Sequence, residues 1–221
     1  MLIPPDAKLW LIELMMAYPI FLMDRYGVSD EEAIEKTKAD LQLLTFLPPP
    51  PIRGVHIGCG RGELVAFMAE RHGDLGTFVG IDIPDRIAEA RELAEKAGIE
   101  IAFQGTALPR LSLPSDGFNM VVVSGPSSRV TLDYWETLLQ ESARVTMEEG
   151  IYALNYRCRP EVPAICPMEA FRTLVEVGVG TSVTIEWQDE ARQFILLLGK
   201  KRLEWAQVWT QVMGQGPPIV H

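Results

Sequence analysis

The stretch Gly54-Val55-His56-Ile57-Gly58-Cys59-Gly60-Arg61-Gly62-Glu63 is the part of this sequence best suited to holding a ligand. A β-branched run ends there in glycines at alternate positions, and a helical pattern starts directly after them. Glycines in such a turn let the backbone approach a ligand and leave free N–H groups at the helix start. A second chemical group follows 24 residues after Gly58, where Asp82 closes the run Phe78-Val79-Gly80-Ile81. A carboxylate at the carboxyl edge of a strand beside a glycine turn is placed to accept hydrogen bonds from ribose hydroxyls. The spacing is G-x-G-x-G, and Glu63 stands where a dinucleotide fingerprint has its third glycine. That carboxylate opposes a pyrophosphate but not a ligand whose reactive centre is a cation, which disfavours a nicotinamide-dependent oxidoreductase.

The elements that must position these groups can be read from the alternation around them. From Gly54 to about Leu198, short β-branched runs alternate with helical stretches, the signature of a parallel sheet covered on both faces. Strands are expected at 54–57, 77–83, 99–104, 119–124, 151–155, 183–187 and 194–198, with helices near 62–72, 85–97, 132–147 and 168–177. Gly73, Gly98 and Gly178 are placed to stop three of those helices. Gln188-Asp189-Glu190 open the six residues, 188–193, between the last two strands, too few for a crossover helix, so that pair should form an antiparallel hairpin. The fold class expected is α/β, a Rossmann-like seven-stranded, mostly parallel sheet with an antiparallel last strand and an N-terminal helical lid.

Three segments follow: residues 1–52 as helical lid and Pro-rich spacer, 53–199 as the ligand-binding domain, and 200–221 as a helical extension. In the first, a helix from about Asp6 meets Pro19, expected to break or kink it, and Ser29-Asp30-Glu31-Glu32 forms a capping box for a helix to about Leu44. Trp10, Met15, Met16, Tyr18, Phe21 and Met23 give this segment an apolar face suited to packing with partial lid duty. In the last, Leu203, Trp205, Val208, Trp209 and Val212 make a helical stripe that docks on its own domain or serves a homodimer.

Composition narrows the partners. The chain has 221 residues, 48% apolar, with 20 Lys and Arg against 30 Asp and Glu, a net charge of −10. Such a surface repels polyphosphate, so a small molecule is expected as substrate and no nucleic acid. The three cysteines fit a reducing, cytoplasmic setting. The apolar stretch 9–23 is interrupted by Glu13 and Pro19 and is too short for an integral membrane segment, which needs about 20 residues. A thiol site from Cys59, Cys158 and Cys166 is conceivable, but isolated cysteines are usually packing residues, and no metal site is expected.

Over roughly residues 53–199 the sequence resembles the class I S-adenosylmethionine (SAM)-dependent methyltransferases, in particular the small-molecule group with a methyltransferase-11-like domain. The motifs carrying the resemblance are the glycine loop, Asp82-Ile83, Gln104-Gly105-Thr106-Ala107, the turn Leu113-Pro114-Ser115-Asp116-Gly117-Phe118-Asn119, and Met147-Glu148-Glu149-Gly150 after a helix. The resemblance implies that Gly58, Cys59, Gly60 and Gly62 wrap the methionine part of SAM and that Asp82 holds its ribose. It implies further that Ile83, Thr106 and Ala107 border the adenine, with His56 and Ser124 at the neighbouring strand ends. S-adenosylhomocysteine would be the product.

Three positions depart from the family pattern: His56, Thr106 and Asn119 each stand where an acid is usual. Loss of an acid near the SAM ammonium would weaken binding by about 1 to 3 kcal/mol. Substrate clues lie after strands four and five, where Arg129, Arg157 and Arg159 suit a carboxylate or phosphate and Tyr156 is a candidate base or orienter. The function expected is methyl transfer to a small-molecule acceptor; the alternative is a catalytically idle protein of this fold acting as a binding or scaffold subunit.

Overall fold

The computed structural model describes residues 6–40, 48, 50–124, 130–157 and 193–199 of the chain. Two leading helices, α1 (Asp6–Tyr26) and α2 (Asp30–Asp40), precede β1 (Ile52–Ile57), α3 (Glu63–His72), β2 (Gly76–Asp82), α4 (Pro84–Ala97), β3 (Ala102–Gly105), β4 (Phe118–Ser124), α5 (Leu132–Val145), β5 (Thr146–Arg157) and β6 (Gln193–Gly199). The sheet order is β3-β2-β1-β4-β5-β6. All pairs are parallel except β5 with β6, which is antiparallel. The chain leaves β1 toward β2 on one side and returns to β4 on the other. This opens a crevice beyond the carboxyl ends of β1 and β4, the switch point where ligands sit in open α/β sheets.

Strands buried on both faces read as continuous apolar runs, and Met120-Val121-Val122-Val123 in β4 is one, with every member buried. One face packs Phe67, Met68, Phe78 and Ile87 together with Tyr18, Phe21 and Leu22 of α1. The other packs Val121, Val123, Trp135, Leu139 and Tyr152 under α5. The predicted layering of helices on both faces is therefore present, and the glycine turn connects β1 to α3 as expected.

Several boundaries differ from the sequence reading. Helix α1 runs unbroken through Pro19. Proline removes only one amide donor, and the halves on either side share the same contact, Tyr18 and Phe21 lying 4.8 and 5.2 Å from the Phe67 ring. Ser29 caps α2 as predicted, its Oγ accepting from the Glu32 N–H at 3.3 Å, and the expected continuation of the helix from 41 to about Leu44 lies outside the described residues. Ile99, expected to open β3, instead closes α4: its N–H donates to Ala94 O at 2.9 Å while Gly98 adopts φ 72°.

Helix α5 stops at Val145 rather than Met147, because Thr146 is extended, pairs with Phe118, and turns its hydroxyl back to Ser142 O at 2.7 Å. Met147-Glu148-Glu149-Gly150, expected as a turn, is absorbed into β5 as a register shift before Met120 meets Ile151. The predicted strand 183–187, the helix 168–177, Gly178, the tail stripe, Arg129, Arg159, Cys158 and Cys166 lie outside the described residues.

Candidate functional site

The turn after β1 is built by left-handed glycines, with φ of 72° at Gly58, 56° at Gly60 and 79° at Gly62. Gly58 is forced by space, since a Cβ there would collide with the Ser124 carbonyl oxygen on β4. Gly62 lies against the Phe103 ring, 2.7 Å from where its Cβ would stand. Gly60 differs: nothing lies within 4 Å of its Cβ position, which opens on free space. The loop is pinned from the next strand, where Gly58 N–H and Cys59 N–H both donate to Ile81 O, at 2.8 and 3.1 Å.

Asp82 braces the same loop from the carboxyl end of β2. Its Oδ2 accepts from Gly60 N–H at 2.8 Å and its Oδ1 from Ile83 N–H at 2.7 Å. Half-buried and already aligned by two backbone donors, the carboxylate keeps lone pairs for a further donor. Ile83 is 45% exposed beside it, a bare apolar surface at the strand edge.

A cavity of about 350 Å³ lies over the loop, lined by Gly58, Cys59, Gly60, His56 and Ser124 together with Lys36, Asp40, Arg61, Glu63 and Arg86. Its size falls in the range of small-molecule sites, about 300 to 1,000 Å³. The sequence reading placed the first five of these residues at the ligand. It missed Lys36 and Asp40, which come from α2, and gave Glu63 only the negative task of opposing a pyrophosphate. The signal for the pair was their i, i+4 spacing on one face of a capped helix.

The charges in the cavity are organised as pairs. The buried Glu63 carboxylate accepts from Lys36 Nζ at 2.8 Å and lies 3.5 Å from Arg61 Nε. Asp40 Oδ2 accepts from the fully buried Tyr18 hydroxyl at 2.8 Å, and burial and then Asp40 raise that phenol's pKa well above its usual value. His56 shares a 2.7 Å hydrogen bond between Nε2 and Ser124 Oγ, either partner donating according to the tautomer. Burial first, and the Lys36 ammonium second, lower the His56 pKa to about 3, so the imidazole is neutral at physiological pH. Burial, then Asp82, pushes the Cys59 thiol far above its usual range, leaving it protonated.

The two other departures from the family pattern have local partners. Asn119 bridges β4 to the entry of β1, accepting from Arg53 N–H at 2.7 Å and donating to Pro51 O at 2.9 Å. A carboxylate could make only the first of these bonds. Thr106 is buried, donates its hydroxyl to Arg110 O at 3.2 Å and its N–H to Asp82 O at 2.9 Å, and so ties the next loop to β2. Ala107 follows it, exposed. On the substrate side, Tyr156 and Arg157 occupy β5 opposite Phe194 and Gln193 of β6, just past the Ser124 register position. Half-buried Tyr134 of α5, which the sequence reading passed over, has its phenol pKa raised by burial and then by Asp82.

Comparison with known proteins agrees with this geometry. Residues 55–150 match a family model described as a methyltransferase domain. Nocamycin O-methyltransferase of Saccharothrix syringae is 33% identical over 108 residues, 44% of this chain and 36% of that protein, so the match spans about a third of the relative's length. A Pyrococcus horikoshii protein shares the fold with a TM-score of 0.66 at 16% identity, over 84% of this chain and 98% of its own. Geranyl diphosphate C-methyltransferase from Streptomyces coelicolor, solved with Mg2+, geranyl diphosphate and S-adenosylhomocysteine, shares it with a TM-score of 0.60 at 13% identity, over 77% and 80% of the two chains. Residues 55–150 thus match the methyltransferase domain family, and the sheet they help to build has the fold of a methyltransferase solved with S-adenosylhomocysteine.

Proposed function

We propose that this protein transfers the methyl group of SAM to a small-molecule acceptor. The observation that carries the reading is the cavity at the switch point, with a glycine loop whose Gly60 faces open space and whose register is set by Asp82. A Cβ at Gly60 would occupy that space, as expected for a cradle around a ligand rather than a mere tight turn. When bound, SAM supplies an electrophilic methyl that passes to the acceptor by in-line displacement at carbon.

The protein's own residues then have separable tasks. Backbone of Gly58, Cys59, Gly60 and Gly62 surrounds the amino-acid end of SAM. Asp82 accepts from the ribose hydroxyls, and Ile83, Thr106 and Ala107 border the base. Ser124, hydrogen-bonded to His56 at the end of β4, lines the cavity and would face the junction of cofactor and acceptor. A neutral imidazole there adds no positive charge to repel the sulfonium. Positioning and exclusion of water supply much of the acceleration, so a good nucleophile needs no dedicated base.

The acceptor lies toward Tyr156 and Arg157 on β5, and Arg129 and Arg159, outside the described residues, are kept as candidates on sequence position. Tyr156 serves as orienter or base, and the arginines suit an acceptor bearing a carboxylate or phosphate. The Nocamycin O-methyltransferase match supports a small molecule of natural-product type and oxygen as the accepting atom. Calorimetry of the purified chain with SAM, S-adenosylhomocysteine and NAD tests the reading. Binding of the first two without NAD supports it; no binding of any of the three overturns it in favour of an idle scaffold.

A further inference from the structure

We propose that two copies of this chain associate through the outward face of helix α1, with the two α1 helices lying parallel about a twofold axis. This contact is independent of the SAM reading and lies outside the methyltransferase domain match, which begins at residue 55. Among the described residues the exposed large apolar side chains are Met15, Met16, Ile20, Ile34, Leu75 and Ile83. The first three stand within two turns of α1, and Met16 is 65% exposed. The opposite side of the same helix is its packed side, where Tyr18, Phe21 and Leu22 are buried around Phe67. A helix apolar on every side is ordinarily covered on every side, and among the described residues nothing covers the Met16 side of α1.

The spacing of the residues on that side selects the occupant. Leu9, Met16 and Met23 recur at intervals of seven, with Ile12 and Pro19 between them at the alternating steps of three and four that make a two-helix seam. With the first set at the a positions and the second at d, Lys8 and Met15 fall at g while Glu13 and Ile20 fall at e. In a parallel pair each g residue meets an e residue of the other helix. That sets Lys8 against Glu13 of the second copy, a cation against an anion, and Met15 against Ile20, both apolar and both more than half exposed. An antiparallel pair sets e against e and would put the two Glu13 residues on one flank. Charge and apolarity therefore select the same arrangement, and its occupant is a copy of this chain.

Net charge and area bear on the same contact. At −10, two copies repel each other over most of their surface, whereas α1 carries no charged residue from Met15 to Met23. The 21 residues of α1 span about 31 Å, and the outward half offers about ten of them, against about 20 to 30 a side in an interface of standard size. The row also stops where Leu22, the next g position, turns into the core. The contact therefore belongs at the small end of interface sizes, and the dimer is reversible, with a Kd of about 10 to 100 μM.

Sedimentation velocity of the full chain at concentrations from about 1 to 300 μM is the test. Wild type should pass from monomer toward dimer as the concentration rises. Met16→Glu sets two carboxylates against each other at the middle of the seam and should leave the chain monomeric throughout, with an unchanged circular dichroism spectrum because the side chain replaced is 65% exposed. Glu13→Lys brings like charges together at the Lys8 pair and should raise the Kd by about 3- to 10-fold, and Lys8→Glu combined with Glu13→Lys should restore it. A wild-type chain that stays monomeric at every concentration overturns the proposal. A dimer that Met16→Glu leaves intact also overturns it and moves the contact to another surface, such as the apolar stripe of the C-terminal extension. A Kd unmoved by Glu13→Lys, or a double variant no tighter than Glu13→Lys alone, overturns the parallel pairing.

Discussion

Replacing Asp82 by asparagine changes one oxygen for an NH2 at constant shape, and the structure says what that does. Asp82 meets two donors at once, Gly60 N–H at 2.8 Å and Ile83 N–H at 2.7 Å. An amide offers one acceptor oxygen, so whichever way it is flipped, one backbone N–H is left facing an NH2 group. A hydrogen bond to a charged group contributes about 1.5 to 3 kcal/mol. Because Asp82 is half-buried and water reaches it, the lower part of that range applies, about 1.5 to 2 kcal/mol. For a chain of this size each kcal/mol moves the melting temperature by about 2 to 4 °C, so Asp82→Asn should melt about 3 to 8 °C lower.

The affinity for S-adenosylhomocysteine should fall more than the stability does. The ribose loses a charged acceptor and Gly60 loses the bond that sets the cradle, together worth about 10- to 100-fold in Kd. Asp82→Ala separates the two effects: it lets water satisfy both N–H groups, so it should melt no lower than Asp82→Asn while binding at least as weakly. Scanning calorimetry and isothermal titration measure both quantities on the same samples. A folded Asp82→Asn chain with wild-type affinity would remove Asp82 from the binding site and leave it a brace of the loop; wild-type melting as well would refute the bonding argument itself.

Three further outcomes follow from single contacts. Gly60→Val should fold, since nothing lies within 4 Å of its Cβ, at a cost of about 1 to 2 kcal/mol for a branched residue at φ 56°, and should lose detectable S-adenosylhomocysteine binding in titration. Arg144→Ala should lower stability by about 2 kcal/mol in urea unfolding, because Arg144 donates to Leu111 O at 3.0 Å and Leu113 O at 2.9 Å while bridging Glu141 at 2.8 Å. The pH dependence carries the sign of a depressed histidine. The folded pKa of His56 is about 3 against 6.5 for a free imidazole, so its contribution is full above 6.5 and is lost as pH falls toward 3. His56→Asn should flatten the acid limb of the stability curve over that window, and an unchanged limb would show that other groups set it.

The parts of the fold that were legible from the residues are those governed by local patterns. The β-branched runs around Val55, Val79 and Val121 located three parallel strands, and Ser29 and Gly98 capped the helices they were expected to cap. What could not be read was set by partners distant in sequence. Pro19 is tolerated because Phe67, far along the chain, packs against both halves of α1. Thr146 leaves the helical pattern because Phe118 offers a strand to pair with. The same division holds in the site. The glycine loop and Asp82 announce themselves by spacing, whereas Lys36 and Asp40 look like ordinary surface charges until the fold brings α2 over the turn after β1.

That arrangement also decides how the leading segment can be tested. Tyr18, Phe21 and Leu22 are buried in one cluster with Phe67 and Met68, and Arg25 fastens the end of α1 to Glu70 at 2.8 Å and to Ala97 O at 3.4 Å. Burying each of the three apolar side chains contributes about 1.5 to 3 kcal/mol, which for the set approaches the whole stability of a typical domain, about 5 to 15 kcal/mol. Deleting residues 1–46 would therefore strip the outer layer from α3 and unfold the chain before it reported on catalysis. The helices are a structural layer whose inner face also carries charge to the cavity, and packing is what fixes that charge in place. Tyr18 joins the two roles: its ring packs on Phe67 while its hydroxyl orients Asp40. Tyr18→Phe keeps the ring and removes only the hydroxyl, so by the loss of one hydrogen bond, about 0.5 to 1.5 kcal/mol, it should melt about 1 to 6 °C lower, and a much larger drop in scanning calorimetry would show that the hydroxyl also holds the packing of α1.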